Sequence, residues 1–111
     1  MSQLTTHILD TTIGKPASGV EIILYKLQND TWKNIANGCT NNDGRIPDLL
    51  REEEKLNGIY KIRFETKAYF RSNNIQSIYP FIEISFEVDS SEHYHIPLLL
   101  SPFGYTTYRG S

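Results

Sequence analysis

Three histidines are the residues best suited to acid–base chemistry in this sequence: His7, His93 and His95. An ordinary imidazole titrates near neutral pH, so it can accept or donate a proton there. Side chains alternate between the two faces of a β-strand. In the strands predicted near both ends of the chain, this alternation puts all three imidazoles opposite the more apolar row. We therefore expect them outside the core, on a surface that forms a cleft or an interface.

The same imidazoles offer a metal-binding alternative. His-x-His on a strand, with a third histidine elsewhere, can supply the three ligands of a catalytic zinc site. His93, His95 and His7 fit that pattern. Because a two-residue spacing is by itself a weak signal, we expect no metal and no cofactor, with zinc as the alternative.

A central turn presents an arginine that could bind carboxylate or oxo groups. Asn42, Asp43 and Gly44 accept the positive φ angles of tight turns, and Arg45 follows them directly. A guanidinium held at the end of a turn offers a planar fork of donors suited to such ligands. On the sequence alone, a solvent-exposed turn arginine is the simpler interpretation of Arg45.

The remaining side chains indicate no second chemistry. Cys39 is the only cysteine, so the chain forms no internal disulfide, and we expect this residue to be a small buried hydrophobe. The sequence has no nucleophile-elbow serine, no glycine-rich phosphate loop and no Cys-x-x-Cys pair. The segment 105–108 is rich in Tyr and Thr, which predicts that the C-terminal end is tied to a sheet.

Short segments rich in β-branched and aromatic residues must position these candidates. In 81–88, apolar residues alternate with glutamate and serine, which predicts one buried and one solvated face. Gly, Asn, Asp and Pro separate such segments at short intervals, as is typical of a β-sandwich or barrel. Strands are predicted over 4–9, 20–27, 31–36, 58–66, 81–88, 94–100 and 105–108.

This rhythm predicts an all-β fold, an antiparallel β-sandwich of seven to eight strands. One or two short helical turns are also expected. Residues 48–55 begin with a capping Asp48 and carry acids in their early turns. Residues 67–73 are the second candidate. Neither would change the fold class.

Composition limits the classes of protein that fit. The chain has 111 residues, and 11 Lys and Arg against 13 Asp and Glu give a net charge of −2. This length predicts a single domain over 1–111. The charge balance argues against binding to nucleic acid or to an anionic membrane. The longest apolar run, 96–100, is too short to cross a bilayer. The first residues have neither the basic start nor the apolar stretch of a secretion signal, so we expect a cytoplasmic protein.

Three parts of the sequence resemble the signatures of one known family. Its N-terminal signature is matched by THILD at 6–10 and GKPA at 14–17, and its arginine turn by TNNDGR at 40–45. Its C-terminal hallmark is matched by HYHIPLLLSPFGYTTYRGS at 93–111. The chain thus resembles the 5-hydroxyisourate hydrolases, or transthyretin-like proteins, over essentially its whole length. The closing YRGS is a specific motif, because the related hormone-carrying transthyretins lack it.

The resemblance implies a transthyretin-like sandwich and a function in the degradation of urate. The implied reaction hydrolyses 5-hydroxyisourate to 2-oxo-4-hydroxy-4-carboxy-5-ureidoimidazoline. The resemblance also implies a homotetramer, a dimer of dimers, with active sites in the channel where the dimers meet. The catalytic residues of the family fall on His7, Arg45, His95 and Ser111. Its substrate-binding residues fall on His7, Arg45 and Tyr108.

These residue types are consistent with hydrolysis by water attack on a ring carbonyl. A neutral imidazole, of His7 or His95, would draw a proton from the water, and Arg45 would stabilise the developing oxyanion. Ser111 would position the water or carry a proton between the histidines. The alternative is a non-catalytic carrier of a small aromatic ligand, like the transthyretins. A carrier needs an apolar channel, whereas this chain would place imidazoles and a guanidinium there.

Overall fold

Two four-stranded β-sheets and one short helix make up the fold. The computed structural model describes residues 2–111. Its elements are β1 (Leu4–Asp10), β2 (Lys15–Pro16), β3 (Glu21–Gln28), β4 (Thr31–Cys39), β5 (Gly58–Phe64), α1 (Thr66–Ser72), β6 (Ile82–Val88), β7 (Tyr94–Ser101) and β8 (Gly104–Thr107). The first sheet has the strand order β2-β1-β7-β8, and the second has the order β4-β3-β5-β6. The predicted all-β sandwich of seven to eight strands is confirmed.

Strand alternation determines which side chains form the core. In β6, Ile82 and Val88 are buried, whereas the glutamates between them are exposed. Each large apolar side chain contributes about 1.5–3 kcal/mol by leaving water, so the apolar faces of both sheets turn inward. They share one cluster that includes Leu4, Ile8, Ile96, Leu98 and Leu100 from the first sheet and Ile22, Leu24, Tyr60, Ile62 and Phe64 from the second.

The first sheet departs from the predicted antiparallel arrangement at the pair of strands that carries the histidines. β1 and β7 run parallel, with Leu4 opposite Tyr94 and Thr5 opposite His95. Parallel neighbours need a crossover connection, and here the whole second sheet lies between them in the sequence. Alternation gives the buried face of a strand but not its direction. This pair is therefore a parallel exception in a sandwich whose other strand pairs are antiparallel, as predicted.

One of the two predicted helical turns is present. The prediction for 67–73 is confirmed by α1, which buries Tyr69 and Phe70. The prediction for 48–55 is wrong, because that segment forms only turns and Asp48 caps no helix. An isolated helix shorter than ~12 residues is only marginally stable in water, and this segment has eight. Its three successive glutamates also leave it without an apolar stripe that could pack against the core. Within 2–111, no helix has the length and apolar character needed to span a membrane.

Cys39 is exposed, so the prediction that it is a buried hydrophobe is wrong. It is the last residue of β4, which lies at the edge of the second sheet and has no fully buried residue. An edge strand has a neighbour on one side only, and this one packs little of its surface against the core. The small size of a cysteine therefore does not by itself place it inside.

Candidate active site

The strands β1 and β7 place the histidines on the outer face of the first sheet. Ile8 and Ile96 face the core and are buried, whereas His7 and His95 on the opposite face are half-buried. The parallel register sets Thr5 directly beside His95. The prediction that the imidazoles lie outside the core is therefore confirmed.

A tight turn fixes Arg45 next to His7. Asn41 Oδ1 accepts a hydrogen bond from the backbone N–H of Arg45 at 3.1 Å. Gly44 has a φ of 70°, and a Cβ there would collide with the carbonyl oxygen of Ile8. Because glycine permits this approach, Ile8 N donates to Gly44 O at 2.9 Å, and His7 and Arg45 form an antiparallel bridge. The predicted turn is present, and it aligns the arginine with β1.

The C-terminal tail folds back onto His95. Beyond β8, which pairs with β7, Gly110 N donates to His95 O at 2.7 Å. A Cβ on Gly110 would lie 2.5 Å from His95 Cδ2, so the tail can approach the ring only because this residue is glycine. The tail is tied down, as predicted. It completes a surface pocket of about 240 Å³, the histidine pocket, which is lined by Thr5, Arg45, His93, His95 and Ser111.

The electrostatics of the site favour neutral imidazoles. Burial and then the positive charge of Arg45 lower the pKa of His7 below its ordinary value. Burial, Arg45 and the other two histidines, in that order, lower the pKa of His95. A neutral imidazole has a free nitrogen lone pair and can accept a proton. Both histidines are thus held in the form that a general base requires.

Four of the five residues singled out from the sequence lie together. Arg45, His95 and Ser111 line the histidine pocket, and His7 adjoins it through its bridge to Arg45. Tyr108 is not among the residues that line this pocket, and 54% of its surface is exposed. Within one subunit, therefore, the structure does not bring Tyr108 to the other four.

Sequence reasoning missed Thr5, whose hydroxyl lies between two imidazoles. Its Oγ1 is 2.9 Å from His93 Nε2 and 2.8 Å from His95 Nδ1. Alternation along β1 places Thr5 on the same face as His7, which was the available signal. Its contact with His95 depends on the parallel register, which no local pattern reveals. His93, to which the resemblance assigns no role, lines the same pocket and contacts the same hydroxyl.

The geometry of the imidazoles does not match the zinc alternative. The rings of His93 and His95 lie nearly parallel, with 17° between their planes and 6.4 Å between their centroids. Thr5 Oγ1 engages one nitrogen of each ring. Among residues 2–111, no three His, Cys, Asp or Glu side chains converge in a way that could hold a metal ion.

Comparisons with known proteins agree with this architecture. The 5-hydroxyisourate hydrolase of Mus musculus is 42% identical over 99% of this chain and 96% of its own. The structure of Klebsiella pneumoniae 5-hydroxyisourate hydrolase superposes with a TM-score of 0.86 at 38% identity, covering 100% of this chain and 94% of that one. Sea bream transthyretin in complex with thyroxine gives a TM-score of 0.91 at 34% identity, covering 97% and 94%.

A family model also matches almost the whole sequence. It is described as the HIUase/Transthyretin family and aligns with residues 4–110. The match includes both histidine-bearing strands, the arginine turn and the tail up to Gly110. By its sequence and by its fold, this chain belongs to the HIUase/Transthyretin family.

Proposed function

We propose that this protein hydrolyses 5-hydroxyisourate to 2-oxo-4-hydroxy-4-carboxy-5-ureidoimidazoline in the degradation of urate. The observation that carries the proposal is the convergence of Arg45, His95 and Ser111 on one pocket, with His7 beside it. Relatives named 5-hydroxyisourate hydrolase in Mus musculus and Klebsiella pneumoniae support the same substrate.

In the proposed reaction, a neutral imidazole acts as the general base. His7 or His95 takes a proton from water as the water oxygen bonds to a ring carbonyl carbon of the substrate. The adjacent carbon–nitrogen bond then breaks, the six-membered ring opens, and the leaving nitrogen receives a proton. General-base catalysis of this kind typically contributes ~10²–10⁴-fold to the rate. The lowered pKa values of both histidines support this role.

The other site residues have electrostatic and positioning roles in this proposal. Arg45 holds the substrate oxygens and stabilises the oxyanion, since a preorganised donor is most effective where charge develops. Ser111 positions the attacking water or carries a proton between the histidines. Tyr108 binds substrate, and its exposure in a single subunit leaves its ring free for that contact.

We further propose that the chain acts as one domain, 1–111, in a cytoplasmic homotetramer arranged as a dimer of dimers. Phe103, Tyr105 and Tyr108 are exposed at and beside β8, the edge of the first sheet. Neighbouring exposed aromatic side chains are a common mark of an interface, which supports assembly through this edge. The exposed thiol of Cys39 fits a reducing compartment.

A carrier function is the second candidate, and the structural similarity to a thyroxine complex of sea bream transthyretin favours it. Carrier pockets are predominantly apolar, with a few polar groups that fix orientation. The histidine pocket instead presents two imidazoles, a guanidinium and the hydroxyl-bearing residues Thr5 and Ser111. These charged and titratable side chains support hydrolysis over carriage.

The decisive experiment follows the decay of freshly generated 5-hydroxyisourate by ultraviolet absorbance, with and without the protein. We expect decay well above the spontaneous rate, and unchanged activity after treatment with a chelator. We expect Arg45→Gln to abolish this activity. Arg71→Gln, which removes an exposed arginine of α1, is the control and should keep it. Folded protein that leaves the spontaneous rate unchanged, yet binds an aromatic ligand, would instead establish the carrier.

A further inference from the structure

The hydroxyl of Thr5 lies within hydrogen-bond distance of two imidazole rings, those of His93 and His95, and constrains both. Its hydroxyl lies 2.9 Å from His93 Nε2 and 2.8 Å from His95 Nδ1. A hydroxyl has one proton to donate and lone pairs to accept. When both rings are neutral, the hydroxyl therefore donates to one ring and accepts an N–H from the other. The protonation states of His93 and His95 are coupled through this single group.

The second nitrogen of His95 is available to the reaction. The hydrogen bond to Thr5 Oγ1 engages Nδ1 and does not involve Nε2. The ring itself cannot swing freely, because Gly110 packs against Cδ2 and binds the backbone of His95. A ring fixed in this way holds one nitrogen on the hydroxyl and leaves the other for a ligand in the pocket.

His93 connects the histidine pocket to a second surface pocket. It lines the histidine pocket together with His95. It also lines a neighbouring pocket of about 140 Å³, the outer pocket, whose other lining residues are Ser2, Gln3, Glu52, Lys55 and Ser91. A proton that reaches His93 can therefore exchange with solvent without passing through the substrate site.

We propose that Thr5 and His93 form a proton relay that serves His95 during hydrolysis. Thr5 is a positioning residue that sets the tautomer of His95, and His93 is the site that holds the proton between the two halves of the reaction. The relay deepens the proposed function of the histidine pocket and rests on it.

The relay balances as follows when His95 Nδ1 carries its proton and Nε2 is free. Nε2 takes a proton from the attacking water. The Nδ1 proton passes to Thr5 Oγ1, and the hydroxyl proton passes to His93 Nε2, which leaves His95 neutral and His93 an imidazolium. The reverse sequence returns the proton through His95 to the leaving nitrogen. No proton is gained or lost over the cycle.

The charges around the two rings favour this direction. Arg45 and His7 lie close enough to His95 to act on its charge. Burial and then Arg45 lower the pKa of His95, so a positive charge is disfavoured there. Transfer moves that charge to a ring centred 6.4 Å away.

His93 has charged neighbours of both signs. Glu52 and Lys55 share the outer pocket with it. Arg109 Nη2 donates to the carbonyl oxygen of His93 at 3.2 Å and pairs with Glu92 at 3.1 Å. Around His95, by contrast, Arg45, His93 and His7 all lower the pKa of the ring.

The test compares Thr5→Val, which keeps the shape of the side chain, with Thr5→Ser, which keeps the hydroxyl. We expect Thr5→Val to lower kcat by roughly 10²-fold, the lower end of acid–base effects, with KM little changed. Thr5→Ser should retain most of kcat. Thr11→Val is the matched control, since it removes a hydroxyl that bonds only Leu100 O, at 3.1 Å.

A double variant separates a relay from two independent contributions. If Thr5 and His93 act in one chain, His93→Gln should lower kcat about as much as Thr5→Val, and the pair together should lower it little further. Losses that multiply in the double variant, or full turnover by folded Thr5→Val, would overturn the relay.

Nitrogen NMR tests the relay without substrate and so distinguishes its failure from failure of the proposed function. In the wild type, the imidazole ¹⁵N signals of His95 should report one dominant neutral tautomer, and Thr5→Val should yield a mixture. Unchanged signals in Thr5→Val would refute the positioning role even in an active enzyme. Absence of hydrolysis with the expected NMR change would refute the proposed function, and the relay with it, but would leave the positioning role of Thr5 established.

Discussion

The imidazoles of His7 and His95 owe their neutral state to two causes that can be separated by mutation. Burial comes first for both rings, and the guanidinium of Arg45 comes second. Burial is a property of the strands, whereas the guanidinium can be removed without disturbing them. At the scale of single residues, the arginine therefore has an effect besides the oxyanion stabilisation that we propose for it: it lowers the pKa of both imidazoles.

Removing either base should stop turnover without unfolding the protein. We expect His7→Asn and His95→Asn each to lower kcat by ~10²–10⁴-fold, because each ring is on the outer face and is not part of the core. Thermal unfolding should stay close to that of the wild type. The general base is the histidine whose loss also removes the acidic limb of the pH–rate profile, and a variant with wild-type kcat would take that residue out of the mechanism.

Removing the arginine should raise the pKa of both histidines. In Arg45→Gln the positive charge is lost but the burial remains, so each pKa should move up toward the ordinary 6.5 without necessarily reaching it. Titration of the ring C–H signals by NMR measures this directly. Arg71→Gln should leave both titrations where they are. A fall in either pKa in Arg45→Gln would contradict the assigned sign.

The same lowered pKa values predict how stability depends on pH. The folded imidazoles bind protons less readily than the unfolded ones, whose pKa is near 6.5. Their contribution to the free energy of unfolding is therefore complete above that pH and declines as the pH falls below it.

At the scale of elements, the tail after β8 contributes most directly to the site. Gly110 touches the ring of His95, and its lack of a Cβ permits that contact. Gly110→Ala should displace the tail or the ring, and a misplacement of about 1 Å can cost ~10²-fold in rate. Steady-state kinetics measure the loss, and circular dichroism verifies the fold.

Gly104→Ala is the matched control for this change. It also lies at the C-terminal end, but its added Cβ would meet nothing closer than Ser101 Oγ at 3.7 Å. Equal losses of rate in Gly110→Ala and Gly104→Ala would mean that the contact between Gly110 and His95 does not cause the loss.

The strands themselves could be predicted from local patterns, but their pairing could not. In β6 and β7 the alternation of side chains gave the buried face correctly, including the outward position of His95. The direction of β7 beside β1 depends on packing between distant parts of the chain, so the contact of Thr5 with His95 could not be foreseen. The place of Arg45 in the site came from the resemblance and not from its turn, which fits an exposed arginine equally well.

At the scale of the whole molecule, one buried hydrogen bond links the helix to the first sheet. Tyr69 of α1 donates to Asp10 Oδ2 of β1 at 2.8 Å, and only 1% of Asp10 is exposed. Burial, together with the bond to Asp10, raises the pKa of Tyr69 to about 12, so its hydroxyl remains a donor. Helix and sheet are joined by this contact at a distance from the histidine pocket.

Tyr69→Phe should destabilise the protein by about 1.5–3 kcal/mol, because a buried carboxylate loses a partner that it cannot replace with water. Urea denaturation measures the change, and kcat of the remaining folded protein should be unaffected. Tyr79→Phe is the control: its hydroxyl lies 3.5 Å from Phe103 O at the surface, so we expect less than about 0.5 kcal/mol. Equal losses of unfolding free energy in the two variants would show that the buried hydrogen bond stabilises the protein no more than the surface one.

The parallel pairing of β1 with β7 also has a consequence for biosynthesis. Leu4 is opposite Tyr94, so β1 cannot pair with β7 until the ribosome has translated both strands and everything between them. Contacts so far apart in the chain form late and slowly. His95, which lines the histidine pocket, lies on β7 itself. A product that terminated before His93 would lack both imidazoles that line the histidine pocket, and β1 would have no β7 to pair with.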